Sequence, residues 1–144
     1  MGSNEQHFED SLYTCLANRR WARAVATGQP AGEAMDALTD EEWLEAMKSH
    51  PRIGERGGDA PATSAREQSR AMQATPATLD ELAAENRRYE EQFGHVFLIF
   101  ASGRSADEIL REIRRRMNNS PSAELEEAKR ELRKIALNRL AKLG

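Results

Sequence analysis

The stretch from Ser120 to Leu140, SPSAELEEAKRELRKIALNRL, is the clearest indication of the fold class. Ser120 followed by Pro121 has the chemistry of a helix N-cap and first helical position. Apolar residues then recur every three or four positions, which is the spacing of one helical face. The members of this face are Leu125, Ala128, Leu132, Ile135, Ala136 and Leu140. The stretch therefore predicts the longest amphipathic helix of the chain.

Two further helices are predicted towards the N-terminus. The first runs from about residue 7 to Val25 and ends at a segment that contains glycine and proline. Its apolar face begins with Phe8, Leu12, Cys15 and Leu16. The second begins at a capping box of Thr39 and Glu42. It ends before Pro51, because proline disfavours helical geometry in the preceding residue, so His50 is predicted at a helix end.

The middle of the chain predicts a loop followed by two helices. Residues 53–63 carry three glycines and one proline, which favours a loop. A second capping box, Ser64 with Glu67, opens a helix that continues to about Ala74. A proline ends that helix, and the next one stops at Gly94 as its C-cap.

The run His95–Ala101, HVFLIFA, is the only strongly β-like stretch. One strand has no partner elsewhere in the chain, so we interpret the run as a buried extended link whose backbone groups need other partners. A third capping box, Ser105 with Glu108, opens the next helix. The sequence predicts an all-α fold, a single-domain helical bundle of about six or seven helices. We interpret residues 1–6 as a flexible N-terminus or an expression scar and 7–144 as the helical domain.

Composition excludes several classes of protein. The 144 residues hold 21 Lys+Arg against 24 Asp+Glu, and a net charge of −3 argues against a general nucleic-acid-binding protein. The single cysteine, Cys15, cannot form an intramolecular disulfide, which favours a reducing, cytoplasmic location. Neither a membrane span nor a signal peptide is recognisable, so we expect no membrane partner.

Metal and nucleotide sites are not predicted. The three histidines, His7, His50 and His95, lie far apart in sequence and have no metal-ligand spacing. No glycine-rich phosphate-binding loop is present. We therefore expect no metal and no nucleotide cofactor.

A basic run near the C-terminus has two interpretations. It could contact phosphates, or it could be a solvated helix face offset by acidic neighbours. The second is favoured because no aromatic residues interleave with the arginines. The run consists of Arg111, Arg114, Arg115 and Arg116.

Three residues are candidates for chemistry, and each also has a structural explanation. His50 lies where the helix dipole favours its protonated form, and local physics alone favours a structural role. Glu67 has an equally plain explanation as the third residue of a capping box, and local chemistry favours that role alone. Arg139 shares a helical face with apolar residues, where a guanidinium needs a carboxylate, a carbonyl or an anionic ligand.

The ordered combination of six segments resembles the 2-oxo-4-hydroxy-4-carboxy-5-ureidoimidazoline (OHCU) decarboxylase family of urate breakdown. The resemblance runs from about Phe8 to Leu143. It is carried by Trp21-Ala22, Trp43-Leu44, His50-Pro51-Arg52-Ile53-Gly54, Ser64-Ala65-Arg66-Glu67-Gln68, Asn86-Arg87-Arg88-Tyr89 and Phe93-Gly94-His95-Val96-Phe97 continuing through Ala101-Ser102-Gly103-Arg104.

The resemblance implies an all-helical, usually dimeric enzyme that needs no cofactor and converts OHCU to (S)-allantoin and carbon dioxide. It implies that His50 is the catalytic histidine, with Glu67 and Arg139 as further catalytic residues. The substrate-binding residues that it implies are Pro51, Ser64, Ala65, Arg66, Gln68, Ile99, Phe100, Ala101, Ser102 and Gly103.

Two alternatives remain open from the sequence. One is a non-enzymatic helical interaction module that uses the basic C-terminal helices to engage an acidic partner. The other is a relative that acts on another ureido acid.

Overall fold

The computed structural model describes residues 2–50, 52 and 69–143. Within these ranges the chain forms seven α-helices, one 3-10 helix at Ala71–Gln73 and no strand. The α-helices are α1 Gly2–Cys15, α2 Arg19–Ala26, α3 Ala31–Asp36, α4 Asp40–Met47, α5 Pro76–Phe93, α6 Ala106–Arg116 and α7 Pro121–Ala141. This confirms the predicted all-α class and helix number. None of the described helices is long and apolar enough to cross a membrane.

The chain divides into two compact units. The first unit comprises Met1–Ser49 and Leu132–Gly144, and the second comprises His50–Glu131. Helix α7 therefore contributes residues to both.

In the first unit, the prediction of a single helix from residue 7 to Val25 is wrong. The structure has two helices there, and α1 begins earlier, at Gly2. The chain breaks after Cys15 because Asn18 caps α2, with its Oδ1 accepting a hydrogen bond from the Trp21 amide at 2.7 Å. Buried Trp21 in turn donates from Nε1 to the Ala31 carbonyl at 3.1 Å, at the start of the unpredicted α3. Asn18 is a preferred helix N-cap residue, and its presence within the periodic apolar pattern was the sequence signal for this second helix start.

The predicted caps of two helices are confirmed. At α4, the Glu42 amide donates to Thr39 Oγ1 at 3.1 Å and the Thr39 amide donates to Glu42 Oε1 at 3.0 Å. Hydrogen bonds from Arg20 and from the Thr39 backbone lower the pKa of Glu42 to about 2. At the end of α5, Gly94 is the C-cap with φ of 81°, a conformation that favours glycine.

The third capping box forms only in part. In a full capping box the Glu108 carboxylate would accept from the Ser105 backbone amide. Here Ser105 Oγ accepts from the Glu108 amide at 3.2 Å, and the carboxylate accepts from the Ser105 hydroxyl. Ser64 and Glu67 lie outside the described residues. The prediction that their helix continues to Ala74 is wrong, because residues 71–73 form a 3-10 helix.

The β-like run is confirmed as a buried link between helices. It has no strand assignment, and Phe97, Leu98, Ile99 and Ala101 are each at most 4% exposed. Its side chains pack with residues from α5, α6 and the 3-10 turn. The cluster consists of Ala71, Leu82, Tyr89, Phe97, Ile99, Ala101, Ile109, Leu110 and Ile113.

A buried polar network supports this link from α5, α6 and α7. Arg116 and Glu124 are 1% and 0% exposed, and Arg116 Nε donates to Glu124 Oε2 at 2.9 Å. The Tyr89 hydroxyl donates to the same carboxylate. Burial, together with this hydrogen bond, raises the pKa of Tyr89, so the phenol remains a donor. Arg116 Nη1 then donates to the Leu98 carbonyl at 2.7 Å.

We predict that Glu124→Ala destabilises the protein by at most about 3 to 5 kcal/mol, because buried Arg116 loses this carboxylate and keeps only Glu127, 3.1 Å from its Nε, as a counter-charge among the described residues. Urea unfolding measures the change in free energy. The matched control is Glu126→Ala on the exposed side of α7, which should change stability by less than about 0.5 kcal/mol. Equal free energies of unfolding for the two variants would show that the network does not stabilise the fold.

Candidate active site

His50 lies just beyond the end of α4, as predicted. The helix ends at Met47 with Lys48 as its C-cap, and His50 follows two residues later, half-buried. The chain beyond it is tied to α5, because Arg52 Nε contacts Glu90 Oε1 at 2.9 Å and Oε2 at 3.1 Å. This ion pair connects Arg52, two residues after the histidine, to α5.

Six of the predicted site residues lie outside the described residues, so their placement stays a prediction. They are Pro51, Ser64, Ala65, Arg66, Glu67 and Gln68. The chain that follows them can be placed. Arg70 donates from Nη1 to the Gly103 carbonyl, and Ala71 packs in the same cluster as Ile99 and Ala101. The structure thus brings residues 70–71 against the other predicted substrate-binding stretch.

Three side chains bind the backbone of that stretch. Arg116 Nη1 donates to the Leu98 carbonyl. The Phe100 amide donates to Glu131 Oε1 at 2.9 Å, and the Phe100 carbonyl accepts from Arg104 Nε at 3.1 Å. Side chains therefore satisfy three backbone groups of the lone link, where the described chain supplies no neighbouring strand.

The stretch ends in a tight turn. The Arg104 amide donates to the Ala101 carbonyl at 2.9 Å, so Ser102 and Gly103 are the two central residues. Gly103 has φ of 76°, which the third position of a type II turn requires. Glycine therefore has a conformational reason to stand at this position.

Three backbone groups of the buried stretch, called open groups below, have no hydrogen-bond partner among the described residues. Among the residues that the structure describes, no hydrogen bond reaches the amide or carbonyl of Ile99 or the amide of Ala101. Ile99 is 2% exposed and Ala101 is 4% exposed. Two donors and one acceptor in apolar surroundings suit a ligand with amide-like groups.

Arg139 lies in the first unit, half-buried on α7. Its Nη1 donates to the Thr14 carbonyl at 3.2 Å, near the C-terminal end of α1. This is one of the partners expected for a guanidinium on an apolar face. Burial raises the pKa of neighbouring Cys15, and the charge of Arg139 opposes that shift.

The basic run on α6 divides in two. Arg114 and Arg115 lie on the surface beside acidic residues, as the solvated-face interpretation expects; Arg115 Nη2, for example, is 2.9 Å from Glu127 Oε2. Arg116 fits neither interpretation, because it is buried and binds Glu124 and the Leu98 carbonyl.

Sequence reasoning missed the residues that hold the link. Glu124 and Glu131 are charged positions on the α7 face that also carries Ala128 and Ile135. A carboxylate at such a position needs a partner, and this was the available signal.

Metal binding finds no support among the parts of the chain that are described, where no group of three or more His, Cys, Asp or Glu side chains could hold an ion. The expectation of a reaction without metal or cofactor stays a prediction.

Comparison with known proteins gives a consistent result. A family model described as OHCU decarboxylase matches residues 2–141. The "Uric acid degradation bifunctional protein TTL" of Arabidopsis thaliana is 36% identical over 94% of this chain and 47% of its own length. The "2-oxo-4-hydroxy-4-carboxy-5-ureidoimidazoline decarboxylase" of Haloferax volcanii is 32% identical over 75% of this chain and 65% of its own length. The chain thus spans about half of the first relative and under two thirds of the second.

A solved structure agrees over most of the chain. The "Crystal structure of OHCU decarboxylase in the presence of (S)-allantoin" is 35% identical, with a TM-score of 0.78. The match covers 93% of this chain and 96% of that one. The similarity therefore extends through both units.

Proposed function

Because the chain belongs to the OHCU decarboxylase family, we propose that it converts OHCU to (S)-allantoin and carbon dioxide in urate degradation. The observation that carries this proposal is the match of the family model to residues 2–141. The open backbone groups of Ile99 and Ala101 support it, because they suit the ring of a ureide. A cytoplasmic location, expected from the single cysteine, belongs to the same proposal.

In this proposal, the chemistry of OHCU allows the reaction to proceed with side chains alone. Its carboxylate is on a carbon that bears a hydroxyl and adjoins a ring C=N bond. When the bond to the carboxylate breaks, its electron pair can flow into that C=N bond without a metal or an organic cofactor. The protein has to orient the substrate, handle charge and deliver one proton to one face of the neighbouring carbon.

Each predicted site residue receives a role in this proposal. His50 is the general acid/base, because its ordinary pKa lies near neutral pH. Glu67 holds the imidazole or the ureido N–H groups, and Arg139 binds a substrate oxygen through its planar fork. Contacts to the rest of the substrate come from Pro51, from Ser64 to Gln68 and from Ile99 to Gly103.

The experiment that tests the activity is a time course of freshly generated OHCU with and without the protein. Circular dichroism follows the product, because spontaneous decay gives racemic allantoin and the enzyme should give the (S) form. Absence of any acceleration would overturn the proposal. Turnover of another ureido acid in its place would favour the relative with a different substrate.

The non-enzymatic interaction module is the weaker candidate. It needs free basic residues on the C-terminal helices, whereas Arg115 and Arg116 are held by Glu127 and Glu124. Co-purification of an acidic partner together with a lack of OHCU turnover would favour it.

We also propose a homodimer, on the basis of the family alone. Light scattering at micromolar concentration should give twice the 16.2 kDa mass of one chain. A mass equal to one chain across that range would exclude the dimer under those conditions.

Arg139→Lys should keep the fold and lower kcat/KM at least about tenfold, on the order of 1.4 kcal/mol. A lysine can still donate to the Thr14 carbonyl but cannot make a bidentate contact with substrate. Arg130→Lys, on the exposed side of α7, is the matched control. Unchanged kinetics with Arg139→Lys would leave this residue a structural role only.

His50→Gln should lower kcat/KM by about 10² to 10⁴, or about 3 to 5 kcal/mol, while melting close to the wild type. Glutamine keeps hydrogen-bonding capacity but cannot act as a general acid near neutral pH. The control is His7→Gln, which changes an exposed histidine on α1. A much smaller loss in a folded variant would make Glu67 the leading proton donor.

A further inference from the structure

Glu131 is a buried carboxylate that contacts the backbone of the proposed substrate-binding stretch. It is 8% exposed, and its Oε1 accepts from the Phe100 amide at 2.9 Å. We propose that Glu131 is a positioning residue that sets which backbone groups of Ile99 and Ala101 face the substrate. This inference rests on the proposed function and names a residue to which the family resemblance gave no role.

The argument follows from the planarity of the peptide bond. In a trans peptide the carbonyl of one residue and the amide of the next lie in one plane and point in opposite directions. No cis peptide occurs in the described part of the chain. A side chain that holds one of the two groups therefore fixes the direction of the other.

Three consecutive peptide planes are held in this way. Arg116 holds the Leu98 carbonyl, which directs the Ile99 amide away from it. Glu131 holds the Phe100 amide, which directs the Ile99 carbonyl away from it. Arg104 holds the Phe100 carbonyl, which directs the Ala101 amide away from it.

The groups directed outward are the three that no described residue binds. In chain order they present a donor, an acceptor and a donor. The complementary ligand edge is an N–H between two oxygen acceptors. The ring of OHCU has this order, because a ring N–H lies between the 2-oxo oxygen and the oxygens on carbon 4.

Glu131 sets the central position because Oε1, the carboxyl oxygen that faces this peptide, accepts the hydrogen bond of its amide. If the peptide between Ile99 and Phe100 turned over, its carbonyl would face the carboxylate, and two acceptors would oppose each other. The outward group would then be an amide, so the ring N–H would meet a donor. A pocket that holds such a mismatched pair of polar groups discriminates strongly against the ligand.

Two substitutions separate orientation from burial. Glu131→Leu removes the acceptor, and we expect KM for OHCU and Kd for the stable product (S)-allantoin to rise by about 10- to 100-fold. Glu131→Gln should give an intermediate effect, because its amide can accept from the Phe100 N–H but can also donate to a turned carbonyl. In both variants kcat should change less than KM, because the contact serves ground state and transition state alike.

The control and a readout without turnover complete the test. Glu126→Leu changes an exposed glutamate of the same helix and should match the wild type. Amide hydrogen exchange measured by NMR should be slow at Phe100 in the wild type and faster in Glu131→Leu. If Glu131→Leu does not fold, the Glu131→Gln variant decides the question through Kd and KM.

The outcomes distinguish this inference from the proposed function. A wild-type protein that does not turn over OHCU overturns the function, while (S)-allantoin titration and exchange at Phe100 still test Glu131. Wild-type turnover with unchanged KM and Kd in both Glu131 variants overturns the positioning role. A fall in kcat with unchanged KM also overturns it.

Discussion

Arg116 places a full positive charge in the interior of the second unit, 4.5 Å from the centre of the Phe97 ring, and the link from His95 to Ala101 depends on how that charge is compensated. Removing a charge from water costs several kcal/mol unless excellent geometry and further hydrogen bonds offset it. Glu124 supplies the opposite charge, and the Leu98 carbonyl takes one of the remaining donors. A neutral donor would satisfy that carbonyl but would leave Glu124 uncompensated. The guanidinium serves both because its donors point in several fixed directions.

Features that depend on neighbouring residues were predictable from the sequence. The capping box at Thr39, the helix start at Pro121 and the left-handed cap at Gly94 each follow from a few adjacent residues and recur in the structure. The break at Asn18 was missed because the apolar period continues through it, and a side-chain hydrogen bond outweighed that period. The same local chemistry would have placed the break correctly had the capping residue been weighed against the period.

The candidate site also contains some features that adjacent residues predict and others that they do not. His50 was placed at a helix end by the proline that follows it, and the unpaired character of the link was evident from the lack of a second strand. Neither argument could find Arg104, because its hydrogen bond to a backbone carbonyl leaves no periodic signal. The position of Glu131 on an apolar helix face indicates that it needs a partner but does not identify that partner. Phe100 and Glu131 are 31 residues apart in sequence. Only the folded structure brings that carboxylate to that amide.

The polarity of peptide groups explains why one helix serves the link in two different ways. Glu131 follows Glu124 by two helical turns, so both lie on one face of α7. A carboxylate can bind an amide directly, as Glu131 binds Phe100, but it cannot bind a carbonyl, so Arg116 stands between Glu124 and Leu98. The link therefore needs alternating acceptor and donor side chains where a neighbouring strand would have supplied both from its backbone. A neighbouring strand would form hydrogen bonds with every backbone group along one edge of the link. Separate side chains instead hold one group of each of three peptides, and the amide and carbonyl of Ile99 and the amide of Ala101 remain without a described partner. The absence of a neighbouring strand in the described part of the chain is thus what leaves these three backbone groups without a described partner.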